Sequence, residues 1–134
     1  MNFTLIKDLN ESYNLYEMNN HHDARKYSLN KKKFGFNEHQ KWLKKKIKSN
    51  KDYLYVFKSN GKTIGYIREH EKYKKKYLSW SIMPKIKFQG YGTKMLSQFL
   101  KKNNRTFYAL VHKKNLSSKK MSLKLGFKYC CPTY

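Results

Sequence analysis

Apolar residues recur along this chain with two periods, a period of two that is typical of strands and one near 3.6 that is typical of helices. Residues 52–58 alternate aromatic and aliphatic side chains, which predicts a strand. His39, Leu43 and Ile47 are each four residues apart, so they share one face of a predicted helix. The two patterns predict helices over residues 11–22, 38–49, 91–103 and 116–125, and strands over residues 3–9, 52–58, 62–69, 76–83, 105–112 and 127–131.

The order of these elements predicts the fold class. Asn60-Gly61 lies between two strands and is typical of a type I′ hairpin turn. Asn37 is expected to cap the second helix, with Gln40 as its capping-box partner. Early hairpins followed by β-α-β-α-β favour an α/β (α+β) sheet with helices on both faces. With 134 residues, we expect a single domain over residues 1–134.

A basic segment with two glycines, Lys87-Phe88-Gln89-Gly90-Tyr91-Gly92-Thr93, comes directly before the third predicted helix. Gly90 and Gly92 allow positive φ and a close approach of the backbone to a ligand. The helix start adds unpaired N–H groups and the positive end of the helix dipole. This combination predicts a phosphate cradle. The P-loop and dinucleotide patterns are excluded, because the former needs Gly-Lys-Ser/Thr and the latter a third glycine.

A second motif lies about twenty residues downstream, with Asn115 and Ser118 followed by Ser122, Lys124 and Gly126-Phe127. Together the two segments resemble the GCN5-related N-acetyltransferase (GNAT) superfamily over roughly residues 52–130. The resemblance implies a GNAT-like mixed, largely antiparallel central sheet. About four helices would flank that sheet, and its central parallel strands would splay apart.

The resemblance also implies acetyl-CoA as cosubstrate, with acetyl transferred to a primary amine. The backbone amides of the glycine turn would hold the pyrophosphate, and the pantetheine arm would dock where the two parallel strands splay. The cofactor-binding residues implied are Ile82, Met83, Lys87, Phe88, Gln89, Gly90, Tyr91, Gly92, Thr93, Asn115 and Lys124. Simpler roles stay open: Ile82 and Met83 as core residues, Asn115 as a helix cap and Lys124 as a solvated lysine. No metal-ligand spacing occurs in the sequence, so no metal is expected.

The general base is sought at the end of the third predicted strand, which faces the acceptor in this family. His70 has a reference pKa near neutrality and could accept the proton of the ammonium, with Glu69 beside it as a second candidate. The alternative is an exposed, charged turn. The strand before the glycine turn lacks the glutamate of many members, and Tyr77 stands about in its place.

The general acid departs from the family pattern. Many members protonate the departing thiolate with a tyrosine, and Ser122 occupies that position here. A hydroxyl with an alcohol-like pKa is a poor acid for this step, although Ser122 is carried over as a candidate. Tyr108 and Tyr129 are conceivable replacements, but their spacing singles out neither.

The N-terminal half resembles a GNAT subgroup with Asn-x-x-x-x-Arg-x-x-Ser followed by His-x-x-Trp. That subgroup acetylates nucleotide-linked amino sugars, such as a 4-amino-4,6-dideoxy hexose on UDP. The resemblance implies that Asn20, Arg25, Ser28 and His39 line the acceptor pocket. For His39 and Trp42 the alternative is a helix face packed on the sheet.

The formal net charge of +23 has two interpretations. One is a solvated surface in a protein rich in Lys and Asn, and the other is a positive field that attracts anions such as coenzyme A, a nucleotide sugar or nucleic acid. The lysines are spread along the chain, which argues against a dedicated nucleic-acid face.

The sequence also predicts the location and the partners of the protein. The first residues contain no apolar stretch of the signal-peptide type, and no apolar run approaches a membrane span, so a cytoplasmic protein is expected. The expected partner is a small-molecule amine, and a homodimer is left open. The alternatives are a macromolecular acceptor, such as a protein or aminoacyl-tRNA, and a non-catalytic GNAT-fold binding protein.

Overall fold

The computed structural model describes residues 2–21, 26, 33–87 and 89–129. In that part of the chain, four strands, four helices and one 3-10 turn follow one another. The strands are β1 Asn2–Leu5, β2 Asp52–Ser59, β3 Lys62–Lys72 and β4 Lys75–Ile82. The helices are α1 Ser12–Asn20, α2 Phe36–Lys48, α3 Tyr91–Lys102 and α4 Leu116–Lys124, and the 3-10 turn is Pro84–Ile86. No helix among these residues is long and apolar enough to cross a membrane.

The sheet is antiparallel throughout, in the order β1-β2-β3-β4. Ser59 pairs with Lys62, and the two residues between them have positive φ, 51° for Asn60 and 75° for Gly61. This confirms the predicted type I′ hairpin. A mixed α/β fold with a largely antiparallel sheet and four helices is likewise confirmed.

A second tight turn joins β3 to β4. Lys72 pairs with Lys75, and Tyr73 and Lys74 adopt positive φ of 53° and 62° without any glycine. The prediction that the third strand ends at residue 69 is therefore wrong, since β3 continues to Lys72. Turn prediction from glycine failed here because the sheet register imposes the left-handed conformation on two ordinary side chains.

The predicted strand 105–112 is reduced to one parallel bridge. The N–H of Leu78 donates to the carbonyl of Tyr108 at 2.8 Å, and the N–H of Tyr108 donates to the carbonyl of Lys76 at 2.9 Å. Beyond this bridge no ladder forms among the described residues, so β4 and the segment after Tyr108 diverge. Backbone groups alternate along a strand, so Trp80 turns its N–H and carbonyl to the same edge as Leu78. Residues 127–129 are likewise not a strand, and 130–131 lie outside the described residues.

Two hydrophobic cores lie on opposite faces of the sheet. The first packs α3 on the sheet and includes Phe57, Ile67, Met95, Leu96 and Phe99. The second packs α1 and α2 on the other face and includes Leu15, Met18, Leu43, Leu54 and Val56. Alternation along β3 therefore sends successive side chains to different layers.

Helix α2 begins earlier than predicted. Its N-terminal cap is Gly35, and Asn37 lies within the helix and makes no capping bond. Phe36 at the first position packs edge-on against Tyr16 of α1 at 5.3 Å between ring centres. We attribute the early start to this contact, which favours two more helical residues over the predicted cap.

Candidate active site

A cleft of about 1440 Å³ runs across the protein from α2 to α3, passing the edge of β4. Pockets for one small ligand typically measure about 300–1,000 Å³, so this cleft has room for two substrates. We call the part at Lys33, His39, Trp42 and Arg68 the α2 end. The α3 end comprises Ile82, Lys87, Gly90, Tyr91, Gly92, Thr93, Asn115 and Lys124.

The α3 end is built on a helix N-terminus. Gly90 caps α3 with a φ of 84°, and the first turn of this helix contains no acidic residue. Tyr91, Gly92 and Thr93 line the cleft within that turn. Because the first N–H groups of a helix lack helical partners, this turn is suited to an anion.

Gly92 also permits α3 and α4 to approach each other. A Cβ at position 92 would lie 3.3 Å from the Sδ of Met121 in α4 and 3.7 Å from a side-chain carbon of Ile82. Bulk at this position would enter the floor of the α3 end. The two glycines of the turn therefore have different functions, because Gly90 provides a left-handed cap and Gly92 provides space.

Eight of the predicted cofactor-binding residues lie together at the α3 end, whereas Met83 and Gln89 do not line the cleft. The N–H of Met83 donates to the carbonyl of Ile64 at 2.8 Å, and its side chain packs on the second core. Gln89 is exposed and is not among the lining residues. Phe88 lies outside the described residues.

Two polar residues of α4 have local structural partners. The Oδ1 of Asn115 accepts a hydrogen bond from the N–H of Ser118 at 3.2 Å, so Asn115 caps α4 while it lines the cleft. The hydroxyl of Ser122 is buried, donates to the carbonyl of Ser118 at 2.8 Å and is not among the lining residues. This geometry gives no support to Ser122 as an acid.

His70 lines the cleft, on the β3 face that carries Tyr66 and Arg68. Its ring stacks on Tyr77 of β4 at 5.7 Å, and its Nδ1 has no hydrogen-bond partner among the described residues. Burial, followed by the charge of Arg68, lowers the pKa of His70 below its usual 6.5. His70 is therefore a neutral base at pH 7.

Glu69 points away from His70, as successive residues of a strand do. Its carboxylate is buried, lies 2.8 Å from Arg105 and 3.8 Å from Lys76, and is not among the residues that line the cleft. The two candidate bases, which are adjacent in sequence, therefore lie on opposite faces of the strand, and only His70 lines the cleft.

Of the described residues predicted to bind the acceptor, His39 lines the cleft and Asn20 does not. His39 lines the α2 end, where burial lowers its pKa to about 4. Asn20 is absent from the lining: its Oδ1 accepts from the N–H of Phe34 at 3.1 Å and its Nδ2 donates to Tyr16 at 3.2 Å. Arg25 and Ser28 lie outside the described residues.

Sequence reasoning missed Arg68 at the α2 end. Its guanidinium lies 5.7 Å from the ring centre of Trp42 and 3.1 Å from the carboxylate of Asp52. Burial raises the pKa of Asp52, but a hydrogen bond from Ser49 and the charges of Arg68 and Lys46 outweigh it, so that the net shift is downward. The period-two placement of Tyr66, Arg68 and His70 inside a strand was the available indication.

The charge of the cleft is strongly positive. Seven cationic side chains line it among the described residues, against one carboxylate, that of Glu38. The seven are Lys26, Lys33, Arg68, Lys87, Lys114, Lys120 and Lys124. No group of three or more potential metal ligands occurs in the described part of the chain.

Comparison with known proteins gives a consistent family. A model described as "Acetyltransferase (GNAT) domain" matches residues 5–128. The comparison with curated proteins found no match.

Several solved structures share the fold. An aminoglycoside antibiotic 6'-N-acetyltransferase from Acinetobacter haemolyticus has a TM-score of 0.70 at 16% identity, covering 100% of this chain and 95% of that one. Spermidine N-acetyltransferase from Vibrio cholerae, in complex with CoA and spermine, gives 0.78 at 17% identity, with 92% and 79% covered. Ribosomal-protein-alanine N-acetyltransferase from Brucella melitensis gives 0.77 at 16% identity, with 98% and 86% covered.

Proposed function

Because this chain belongs to the acetyltransferase (GNAT) family and is an acetyl-CoA-dependent N-acetyltransferase, we propose that its acceptor is a small primary amine that also carries an anionic group. A nucleotide-linked amino sugar is the acceptor we favour. The observation that carries this proposal is the charge of the cleft, which has seven cationic side chains against one carboxylate among the lining residues that the structure describes.

The α2 end supports an anionic acceptor in particular. Lys33 and Arg68 line it; Glu38 is the one carboxylate among the described lining residues, and Asp52 pairs with Arg68 from outside the lining. A polycation such as spermidine or an aminoglycoside would meet like charges there, and like-charge contacts discriminate strongly against a wrong ligand. A phosphate or carboxylate would instead gain charge-assisted hydrogen bonds.

The α3 end fits the pyrophosphate of acetyl-CoA, which supplies the acetyl group as a thioester. The first-turn amides of α3 after Gly90 would hold the pyrophosphate, and Lys87 and Lys124 would add positive charge. The main-chain groups of Trp80 at the open edge of β4 would pair with the amides of the pantetheine arm. This assignment keeps the predicted cofactor role of the glycine turn. It does not include Met83 among the cofactor-binding residues, because the N–H of Met83 already has a partner.

His70 is the residue we propose as general base. An amine acceptor is an ammonium ion at neutral pH and must lose a proton before it attacks. His70 lines the cleft and, because its pKa is lowered, is neutral when the substrate arrives. It can accept the ammonium proton directly or through one water molecule. Glu69 is committed to Arg105 and lies outside the cleft, so we do not propose it for this step.

A panel of acceptors tests the proposal. The purified enzyme is given acetyl-CoA with a UDP-linked 4-amino-4,6-dideoxy hexose, spermidine, an aminoglycoside or an N-terminal peptide, and acetylated products are identified by mass spectrometry. We expect the UDP-linked amine to be acetylated with the highest kcat/KM. Preferred acetylation of spermidine or the aminoglycoside would contradict an anionic acceptor, and preferred acetylation of the peptide would indicate the macromolecular alternative.

A further inference from the structure

A hydrogen-bonded chain of three side chains joins α1, α2 and β3 at the α2 end of the cleft. The hydroxyl of Tyr66 donates to the Oδ1 of Asn19. The Nδ2 of the same Asn19 lies 3.1 Å from the Nε2 of His39. All three residues line the cleft, and His39 is only 1% exposed.

This chain selects one tautomer of His39. Tyr66 occupies the amide oxygen of Asn19, so the group that faces His39 is the NH₂ of the amide, which can only donate. The Nε2 of His39 must therefore accept and carry no proton. In a neutral imidazole the proton then lies on Nδ1. Burial keeps the ring neutral, since it lowers the pKa of His39 to about 4.

The Nδ1–H that results has no hydrogen-bond partner among the described residues. Aromatic rings surround the imidazole: Phe34 stacks on it at 5.6 Å, Trp42 is tilted at 5.2 Å, and Tyr16 meets it edge-on at 5.7 Å. Buried donors are almost always satisfied in folded proteins. A buried donor that lines a ligand cleft and lacks a protein partner is therefore suited to a ligand.

We propose that His39 is a specificity-determining residue that donates its Nδ1–H to an oxygen of the acceptor, and that Asn19 and Tyr66 are positioning residues that fix this donor. The oxygen is a carbonyl, hydroxyl, ring or phosphate oxygen. An ammonium or N–H group at the same place would meet a donor and be rejected. This inference rests on the proposed function only in placing the acceptor at the α2 end.

The first test measures the tautomer without any substrate. Two-bond ¹H–¹⁵N NMR spectra at pH 7 distinguish Nδ1–H from Nε2–H imidazoles. We expect His39 to be the Nδ1–H form in the unaltered protein. In Asn19→Asp the carboxylate can only accept, so His39 is expected to gain a proton on Nε2. A second variant, Tyr66→Phe, releases the amide of Asn19 and is expected to give a mixture of tautomers.

The second test measures kinetics with the acceptor that the unaltered enzyme acetylates best in the panel. Asn19→Asp is expected to raise the KM of the acceptor by tenfold or more, and to leave the KM of acetyl-CoA within twofold. Asn10→Asp is the matched control, because it adds the same charge at an exposed site outside the cleft lining. We expect its two KM values to equal those of the unaltered enzyme.

The outcomes separate this inference from the proposed function. A polycation as the preferred acceptor overturns the proposed function, while the NMR result still decides the inference. An Nε2–H or doubly protonated His39 in the unaltered protein overturns the inference. So does an Asn19→Asp variant whose tautomer changes while the KM of the acceptor stays within threefold. If no amine in the panel is acetylated, the tautomer alone decides.

Discussion

The guanidinium Nη2 of Arg105 lies 2.8 Å from the Oε1 of Glu69, and the carboxylate is almost completely buried. Arg105 lies three residues before Tyr108, whose single parallel bridge with Tyr77 marks where the segment diverges from β4. The ion pair therefore ties the start of the diverging segment to β3, next to the point where the cleft opens.

Replacing Glu69 by glutamine should lower stability. The glutamine amide cannot compensate the charge of Arg105. Because this guanidinium is partly exposed, its hydration offsets part of the lost interaction energy. We expect urea unfolding to show a destabilisation of about 1–3 kcal/mol. Glu71→Gln is the matched control, because the Glu71 side chain is 39% exposed, meets Lys76 at 3.8 Å and should contribute less than about 0.5 kcal/mol.

The kinetics of Glu69→Gln separate a structural role from a catalytic one. If His70 is the base, the acid limb of the pH profile of kcat/KM keeps its midpoint in this variant. Disappearance of that limb would identify Glu69 as the base.

Alanine at Gly90 and at Gly92 should have different effects. Gly90 has a φ of 84° and open space around its Cα, so alanine there costs about 1–2 kcal/mol through backbone strain. At Gly92, the gain in helix propensity offsets a 3.3 Å contact with the flexible Met121, and stability should change by less than about 1 kcal/mol. Urea unfolding of both variants measures the difference, and equal losses would contradict the two functions assigned to these glycines.

Glutamate at Gly92 should abolish coenzyme A binding. The substitution places bulk and negative charge where the first turn of α3 would meet the pyrophosphate. Thermal unfolding with and without coenzyme A should show a ligand-dependent rise in Tm for the unaltered protein and for Gly92→Ala, and none for Gly92→Glu. A normal rise in Gly92→Glu would place the pyrophosphate elsewhere.

The activity should fall on the acid side with a midpoint below pH 6.5. Burial and Arg68 lower the pKa of His70, so its neutral, proton-accepting form persists below the usual value. The profile of kcat/KM should rise with pH through that lowered pKa and then level off. In His70→Gln, kcat should decrease about a hundredfold or more, and the limb should vanish. A variant that keeps both the limb and its rate would rule out His70 as the base.

Stability should fall on acidification because of His39. The pKa of this residue is about 4 in the folded protein and 6.5 in the unfolded chain, so between these values the unfolded chain binds more protons. The contribution of the neutral His39 to the free energy of unfolding is fully present above pH 6.5. About 3 kcal/mol of it is lost as the pH falls from 6.5 to 4. The measurement is urea unfolding of the unaltered protein and His39→Gln over this range. The two should converge toward acid pH, whereas a constant difference would contradict the buried neutral imidazole.

Charge reversal on α2 and the residues before it should distinguish the cleft from the rest of the surface. Lys33 lines the α2 end, whereas Lys41 is an exposed residue of α2 outside the cleft lining. We expect Lys33→Glu to raise the KM of an anionic acceptor about tenfold, because an attractive charge beside the acceptor becomes a repulsive one. Lys41→Glu should change it less than twofold. Equal effects would indicate long-range attraction by the net charge rather than a binding site.

Local patterns in the sequence predicted most of the elements. The Asn60-Gly61 turn and the three longer strands, β2 to β4, follow from local propensity, which the antiparallel sheet satisfies. The turn at Tyr73-Lys74 could not be found this way, because the register of β3 and β4, and not the side chains, imposes its backbone conformation. The segment after Arg105 has the composition of a strand, but it leaves β4 after one bridge.

The site was predictable at its α3 end and less so at its α2 end. Gly90 and Gly92 reveal their function through the conformational freedom that only glycine has. Asn19 and Tyr66, in contrast, are distant in sequence from His39, and only the packing of α1, α2 and β3 brings them together. The adjacency of Glu69 and His70 in the sequence suggested a common site, but neighbouring residues on a strand face opposite layers.

The most direct test of an anionic acceptor uses two amines that differ only in the anion. We would measure kcat/KM at saturating acetyl-CoA for a UDP-linked 4-amino-4,6-dideoxy hexose and for the same amino sugar without UDP. Our account predicts that kcat/KM is at least about a hundredfold higher for the UDP-linked amine, equivalent to about 3 kcal/mol, and that this ratio falls as salt is added. Equal values for the two amines would contradict it.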